Sequence, residues 1–153
     1  MGIVAVKLVS AKDSLTTSDA VQAFQYVNYL KNVEGQNIVA TNNSWSWSQL
    51  KNSQAVRDAM AGLDQPGMSP ILHVCGPGNQ NENNDLNPKF PASYNLDNII
   101  SVAATEWNDH YADFSNYGAT SVDLVAPGTF ILTTEANNRY NFGFSGASAL
   151  PLR

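Results

Sequence analysis

The sequence predicts an α/β fold in three layers, a mostly parallel β-sheet with helices on both faces. Three observations carry that expectation. Short β-branched runs alternate with segments of helical periodicity, at intervals long enough for crossover connections. Polar and glycine-bearing residues collect at the predicted carboxyl ends of the runs, where ligands gather in open parallel sheets. A length of 153 residues with 43% hydrophobic side chains suffices for one core.

The elements follow in order. Ile3 to Val9 is a short β-branched run that predicts a first strand, buried on both faces. Thr16-Thr17-Ser18-Asp19 offers N-cap oxygens, and Ala20, Val21, Phe24, Val27 and Leu30 then recur at helical spacing. A helix is expected over about 19–32, with Gly35 as its stop. Ile38-Val39-Ala40 opens a second strand that ends in Asn42-Asn43-Ser44-Trp45. A second helix is expected from Gln49 to Gly62, with Leu50, Val56, Ala59 and Met60 on one face. Pro66-Gly67 breaks the chain before a third strand, Ile71 to Cys75, and a long polar loop runs from Gly76 to Pro88. Ile99 to Ala104 reads as a fourth strand, Val122 to Val125 as a short fifth and Thr129 to Thr133 as a sixth. No repeat, linker or boundary divides residues 1–153, so one domain is expected.

Composition removes several function classes. A net charge of −5 and a pI near 4.7 argue against nucleic acid and anionic membranes as partners. No run approaches the ~18–20 apolar residues of a membrane span. Met1 to Lys7 lacks a basic segment followed by a long apolar core, so it reads as a strand and not as a signal peptide. The single cysteine, Cys75, excludes an internal disulfide. Charged residues make up only 14%, and the loops are rich in Asn, Ser and Thr, a composition that suits an extracellular enzyme.

A few residues have chemistry within reach. Ser148, in Ser145-Gly146-Ala147-Ser148, is either a serine in a small-residue turn or a nucleophile whose small neighbours let a substrate backbone approach. Asn79, after Gly78, is either an ordinary turn asparagine or a side-chain amide placed to donate a hydrogen bond. Gly76-Pro77-Gly78 lacks the third glycine and following helix of a phosphate loop. Of the two histidines, His73 sits between Leu72 and Val74 as a core residue would, and His110 lies in the loop Trp107 to Tyr111. There is no Cys/His cluster for zinc, and Asp109 and Asp113 merely share a loop.

Several stretches, in order, resemble one family. Ser44-Trp45, Gly78-Asn79, Pro91-Ala92-Ser93-Tyr94, Phe114-Ser115-Asn116-Tyr117-Gly118, Ala126-Pro127-Gly128 and Ser145-Gly146-x-Ser148 resemble subtilisin-like serine proteases (subtilases, peptidase family S8). The resemblance implies a subtilisin-like fold, here incomplete, and a serine endopeptidase with Ser148 as nucleophile and Asn79 as oxyanion donor. It implies that Ser44, Trp45, Ser46 and Gly78 bind the main chain of an extended peptide or protein substrate. Lys89 corresponds to the base of the pocket for the residue before the cut, which would favour an acidic side chain there. The carbonyls of Ala92 and Tyr94 with the Asp123 carboxylate resemble a weak structural cation site for Ca²⁺, Na⁺ or K⁺. No cofactor is required for catalysis, and the parent protein is expected to be secreted.

Departures from the family pattern matter equally. Ala147 stands where Thr is usual, Ser46 where Gly is usual, and Cys75-Gly76-Pro77 where alanines are usual. After Ser148 the sequence Ala149-Leu150-Pro151-Leu152-Arg153 leaves the family's Met-Ala-x-Pro pattern. The Asp-Thr/Ser-Gly and His-Gly-Thr-His motifs of the triad do not occur. The chain therefore resembles the central and C-terminal part of a catalytic domain, expected to be inactive alone and to expose sheet edges and faces. Two other readings stay open: a non-catalytic relative that binds extended peptides, and an unrelated α/β domain that binds a small ligand at its strand ends.

Overall fold

The computed structural model describes residues 2–8, 15–46, 52–62 and 69–147. Ser148, Leu50 and Pro66-Gly67 lie outside the described residues.

Helix α1 runs Thr17–Asn32 and starts where the sequence places its oxygens. The Thr16 hydroxyl accepts the Asp19 N–H at 3.2 Å, and the Asp19 carboxylate accepts the Thr16 N–H at 2.9 Å, a reciprocal capping box. Ala20, Phe24, Val27 and Leu30 turn inward as their spacing predicts. Asn28 is also buried, because its Nδ2 donates to the Ala59 carbonyl at 3.0 Å and ties α1 to the next helix. That helix, α2, spans Gln54–Ala61, buries Val56, Ala59 and Met60, and ends at Gly62 in the left-handed region. It starts later than the expected Gln49, which itself lies outside the described residues: Asn52 is in a turn, and Ser53, in extended backbone, is the N-cap.

Four parallel strands form the sheet in chain order: β1 (Ala40–Asn43), β2 (Leu72–Cys75), β3 (Ile99–Thr105) and β4 (Leu124–Pro127). The register sets Asn43 beside Cys75 and Cys75 beside Ser101, so the carboxyl ends of β1 and β2 are level. β3 is the most buried strand, as its mostly apolar Ile99 to Ala104 run foretells. β5 (Ile131–Glu135) and β6 (Arg139–Phe144) form an antiparallel hairpin.

Two strand expectations change. Residues 2–8 form no strand, and Ile3 is 87% exposed. A β-branched run becomes a strand only when a neighbour takes its N–H and C=O groups, and no described strand pairs with it. Ala5 to Leu8 instead lie along α1, sharing a cavity with Asp19, Gln22, Ala23 and Tyr26. β6 was not foreseen. Its signal is present, since Tyr140, Phe142 and Phe144 alternate with polar or small residues after Asn137-Asn138, both at positive φ.

The main core lies between the helices and the sheet. Ala20, Phe24, Val56, Ala59, Met60, Cys75, Tyr94 and Ile99 form it, with Trp45, Phe90 and Leu96 at its margin. Burying a side chain such as Phe24 contributes about 1.5–3 kcal/mol. A smaller cluster of Ala104, Ala112 and Ala147, bordered by Phe114, sits beneath the carboxyl ends of β3 and β4.

Candidate active site

The chain leaves β2 through a turn that only small residues can make. Gly76 donates its N–H to the Asn43 carbonyl at 3.3 Å, which keeps the turn against the end of β1. A Cβ at Gly76 would stand 3.1 Å from the Ala147 carbonyl oxygen, so two backbones meet here. Pro77 is buried, and Gly78 adopts φ +119°, open essentially to glycine alone. Asn79 follows at the surface, where its Oδ1 accepts the Ala147 N–H at 2.9 Å.

That bond orients the amide. A backbone N–H can only donate, so the atom facing it is the carbonyl oxygen, and Nδ2 is the amide's donor. Among the described residues Nδ2 has no partner.

The segment Ser145-Gly146-Ala147 is held from a second side by the turn after β4. Gly146 donates to the Gly128 carbonyl at 2.8 Å, and the Ser145 hydroxyl accepts the Phe130 N–H at 3.1 Å. A Cβ at Gly128 would lie 2.6 Å from Ala104 Cβ, so glycine is required by close approach. Ala147 is 2% exposed and packs on Ala104 and Ala112. The structure thus brings Gly78-Asn79 together with Ser145-Gly146-Ala147 across some 68 residues of sequence. Ser148 is the next residue of that segment, beyond those described.

The remaining predicted residues distribute as follows. Ser44 is exposed and accepts Asn42 Nδ2 at 2.9 Å. Trp45 packs against Phe24 with ring centroids 6.2 Å apart, and its buried Nε1 has no partner among the described residues. Ser46 is half-buried. All three leave β1 next to the Gly76–Asn79 turn, because Asn43 and Cys75 are in register. Lys89 is no unpaired cation: its Nζ stands 2.7 Å from Glu82 Oε2, which offsets its charge. Ala92, Tyr94 and Asp123 line one polar cavity of about 440 Å³, together with Asp85, Ser93 and Thr120. Asp123 Oδ2 also accepts the Ser101 N–H at 2.8 Å. Among the described residues, no group of three or more His, Cys, Asp and Glu side chains is arranged to hold a metal ion.

The two histidines sit in different surroundings. His73 is buried, with Nδ1 2.7 Å from the Thr41 hydroxyl and Nε2 3.0 Å from the Met60 carbonyl. A carbonyl can only accept, so Nε2 carries the proton and donates, while Nδ1 accepts from Thr41. Burial pushes its pKa down, against a weaker opposing contribution from the Met60 bond. His110 is exposed in the loop after β3. Burial likewise drives the Cys75 thiol to about 12, so it is no nucleophile.

Two asparagines escaped the sequence reading. Asn116 and Asn84 are both buried, and both donate to the Pro77 carbonyl, at 3.2 and 2.9 Å. In the sequence Phe114 to Gly118 is only a family-like string, and nothing local tells that Asn116 reaches a turn 39 residues earlier.

Comparison with known proteins assigns the chain to a family. The family model described as the subtilase family (Peptidase_S8) matches residues 1–149. Alkaline elastase YaB of a Bacillus strain is 33% identical over 143 residues, 94% of this chain and 33% of that protein. Subtilisin-like protease 2 of Plasmodium falciparum is 39% identical over 82 residues, 54% of this chain and 6% of that protein. Among solved structures, a cold adapted subtilisin-like serine proteinase aligns with TM-score 0.71 and 26% identity, over 94% of this chain and 46% of that one. The chain spans no more than 33% of the length of either of these curated relatives. By the extent of the family match, and by the fold shared with the solved structure, this chain belongs to the subtilase family.

Proposed function

We propose that this chain is the part of a subtilisin-like serine endopeptidase that carries the nucleophile, Ser148, and the oxyanion donor, Asn79. The observation behind this reading is the Ala147 N–H···Asn79 Oδ1 bond, which couples the serine-bearing segment to an amide whose Nδ2 has no partner among the described residues. Ser148 Oγ attacks the scissile carbonyl carbon while a histidine base takes its proton. The carbonyl π-electrons move onto oxygen, and Asn79 Nδ2–H donates to the oxyanion. Collapse expels the amine, which the histidine protonates, and water then hydrolyses the acyl-enzyme by the same route. The base and its aspartate belong to polypeptide beyond these 153 residues, because His73 has both nitrogens engaged and His110 lies in an exposed loop.

An extended peptide would add along Ser44-Trp45-Ser46 and Gly78. Glu82 cancels the charge that would make Lys89 select acidic residues, so a mild preference at most is expected. The Ala92 and Tyr94 carbonyls with Asp123 suit a weakly held monovalent cation better than Ca²⁺, since one carboxylate supplies little charge. The low charge and amide-rich loops fit a secreted parent.

The test joins this chain to the Asp- and His-bearing part of a relative such as alkaline elastase YaB and follows a peptide anilide. The 153-residue chain alone should hydrolyse nothing. The joined protein should turn over, and Ser148→Ala should abolish it. Asn79→Ala should lower kcat by ~10²–10³ with little change in KM, a magnitude known from subtilisin itself. Turnover that survives Ser148→Ala would overturn the proposal. Peptide affinity with no hydrolysis by the joined protein would favour the non-catalytic, peptide-binding relative.

A further inference from the structure

Asn116 stands at the centre of a buried network with no side chain of its own at the reaction centre. It is fully buried; its carbonyl accepts the Ser115 hydroxyl at 3.1 Å, while its N–H and its side-chain amide are spent on the stretch that carries Asn79. Its N–H donates to the Gly78 carbonyl at 3.0 Å. Its Oδ1 accepts the Gln80 N–H at 2.8 Å and the Glu82 N–H at 3.2 Å. Its Nδ2 donates to the Pro77 carbonyl at 3.2 Å and to Asn84 Oδ1 at 2.9 Å. Asn84 in turn gives its own Nδ2 to the Pro77 carbonyl at 2.9 Å. The backbone groups on both sides of Asn79 are therefore held by one side chain, and Asn79 itself is bypassed.

We infer that Asn116, supported by Asn84, is the positioning residue for Asn79. The amide of Asn79 has two rotatable side-chain bonds and a single described bond of its own, to Ala147. Its aim is set by where the backbone at Gly78 and Gln80 holds its Cα. A low-dielectric, fully satisfied amide network is stiff, which suits a donor that must be in place before charge develops. The same close packing explains Gly78, where a Cβ would sit 2.7 Å from Asn116 Nδ2. The inference rests on the reading of Asn79 as oxyanion donor for its catalytic consequence, but the mechanical coupling stands apart from it.

Two measurements separate these. The first is amide hydrogen exchange in the 153-residue chain, comparing the Ala147 N–H with the His73 N–H, which is bonded to the Asn98 carbonyl at 2.8 Å. In Asn116→Ala, Ala147 should exchange at least about tenfold faster while His73 keeps its protection, because only the turn is released. Asn84→Ala should act in the same direction and less. Thr16→Ala, a remote destabilising control, should change the two amides in proportion. Equal acceleration of both amides in Asn116→Ala, or none at Ala147, overturns the inference. The second is kinetics in the joined, catalytically complete protein. Asn116→Ala should lower kcat about 10–100-fold with KM within about twofold, the cost of a misaimed donor. An unchanged kcat in folded protein overturns the inference. If the wild-type joined protein has no Ser148-dependent turnover, the catalytic reading fails, and the exchange result alone decides the positioning role.

Discussion

Gly78 shows how much of this site depends on the absence of an atom. At φ +119° an L side chain is strained, and a Cβ would meet Asn116 Nδ2 and Gln80 Oε1, each at 2.7 Å. Gly78→Ala should cost about 1–3 kcal/mol from backbone strain alone, read from the urea midpoint, and should displace Asn79 as Asn116→Ala does. An unchanged midpoint would contradict it. His73 supplies a pH dependence whose sign follows from burial. Its folded-state pKa lies below the ordinary value of 6.5, so the unfolded chain takes up the proton first as pH falls. Stability is complete above about 6.5 and declines below it, toward the depressed folded value. The urea midpoint should therefore drop between pH 7.5 and 5.5, and less so in His73→Gln; a rise would refute this. His73 as a core residue was legible from Leu72 and Val74 beside it. The pairing of Lys89 with Glu82 was not, because it depends on how the polar loop folds back on itself.

Among the elements, α1 is the one whose sequence and structure agree most closely. Cap oxygens, apolar spacing and stop signal all lie within the helix or next to it, so local physics decides them. Thr16→Ala removes a hydroxyl that both accepts from Asp19 N–H and donates to its carboxylate. The expected loss is about 1 kcal/mol, visible as a lower thermal midpoint and a selective rise in exchange at the first turn of α1. No change in either would show that tertiary packing alone holds the helix start. The strand elements divide differently. β3 was legible because burial on both faces leaves a nearly continuous apolar run, interrupted by the buried Ser101. Residues 2–8 carry the same signal and form no strand, since strand formation needs a partner that no local pattern encodes.

At the scale of the molecule, apolar surface remains uncovered. Phe130 and Phe142 are 78% and 73% exposed, and Leu132, Tyr140 and Phe144 share the hairpin with them. Leu124 and Val125 are exposed on β4, at one edge of the sheet, as expected for a chain resembling part of a larger domain. Surfaces of this kind drive self-association. The 153-residue chain should bind a dye such as ANS and scatter light increasingly with concentration, and Leu132→Ser with Phe142→Ser should reduce both. A dye-silent monomer at all concentrations would sink that expectation.

By itself the sequence determined the α/β class, the helices, the central strands and the ordered stretches that mark the subtilase family. These follow from periodicity, capping and residue identity, which act over a few neighbours along the chain. Only the tertiary structure decided that Asn79 faces Ala147, that Asn116 braces Gly78, that Glu82 neutralises Lys89 and that residues 2–8 pair with none of the described strands. Each of those depends on hydrogen bonds and charges between segments far apart in sequence, whose partners are chosen when the sheet's register brings them within about 3 Å.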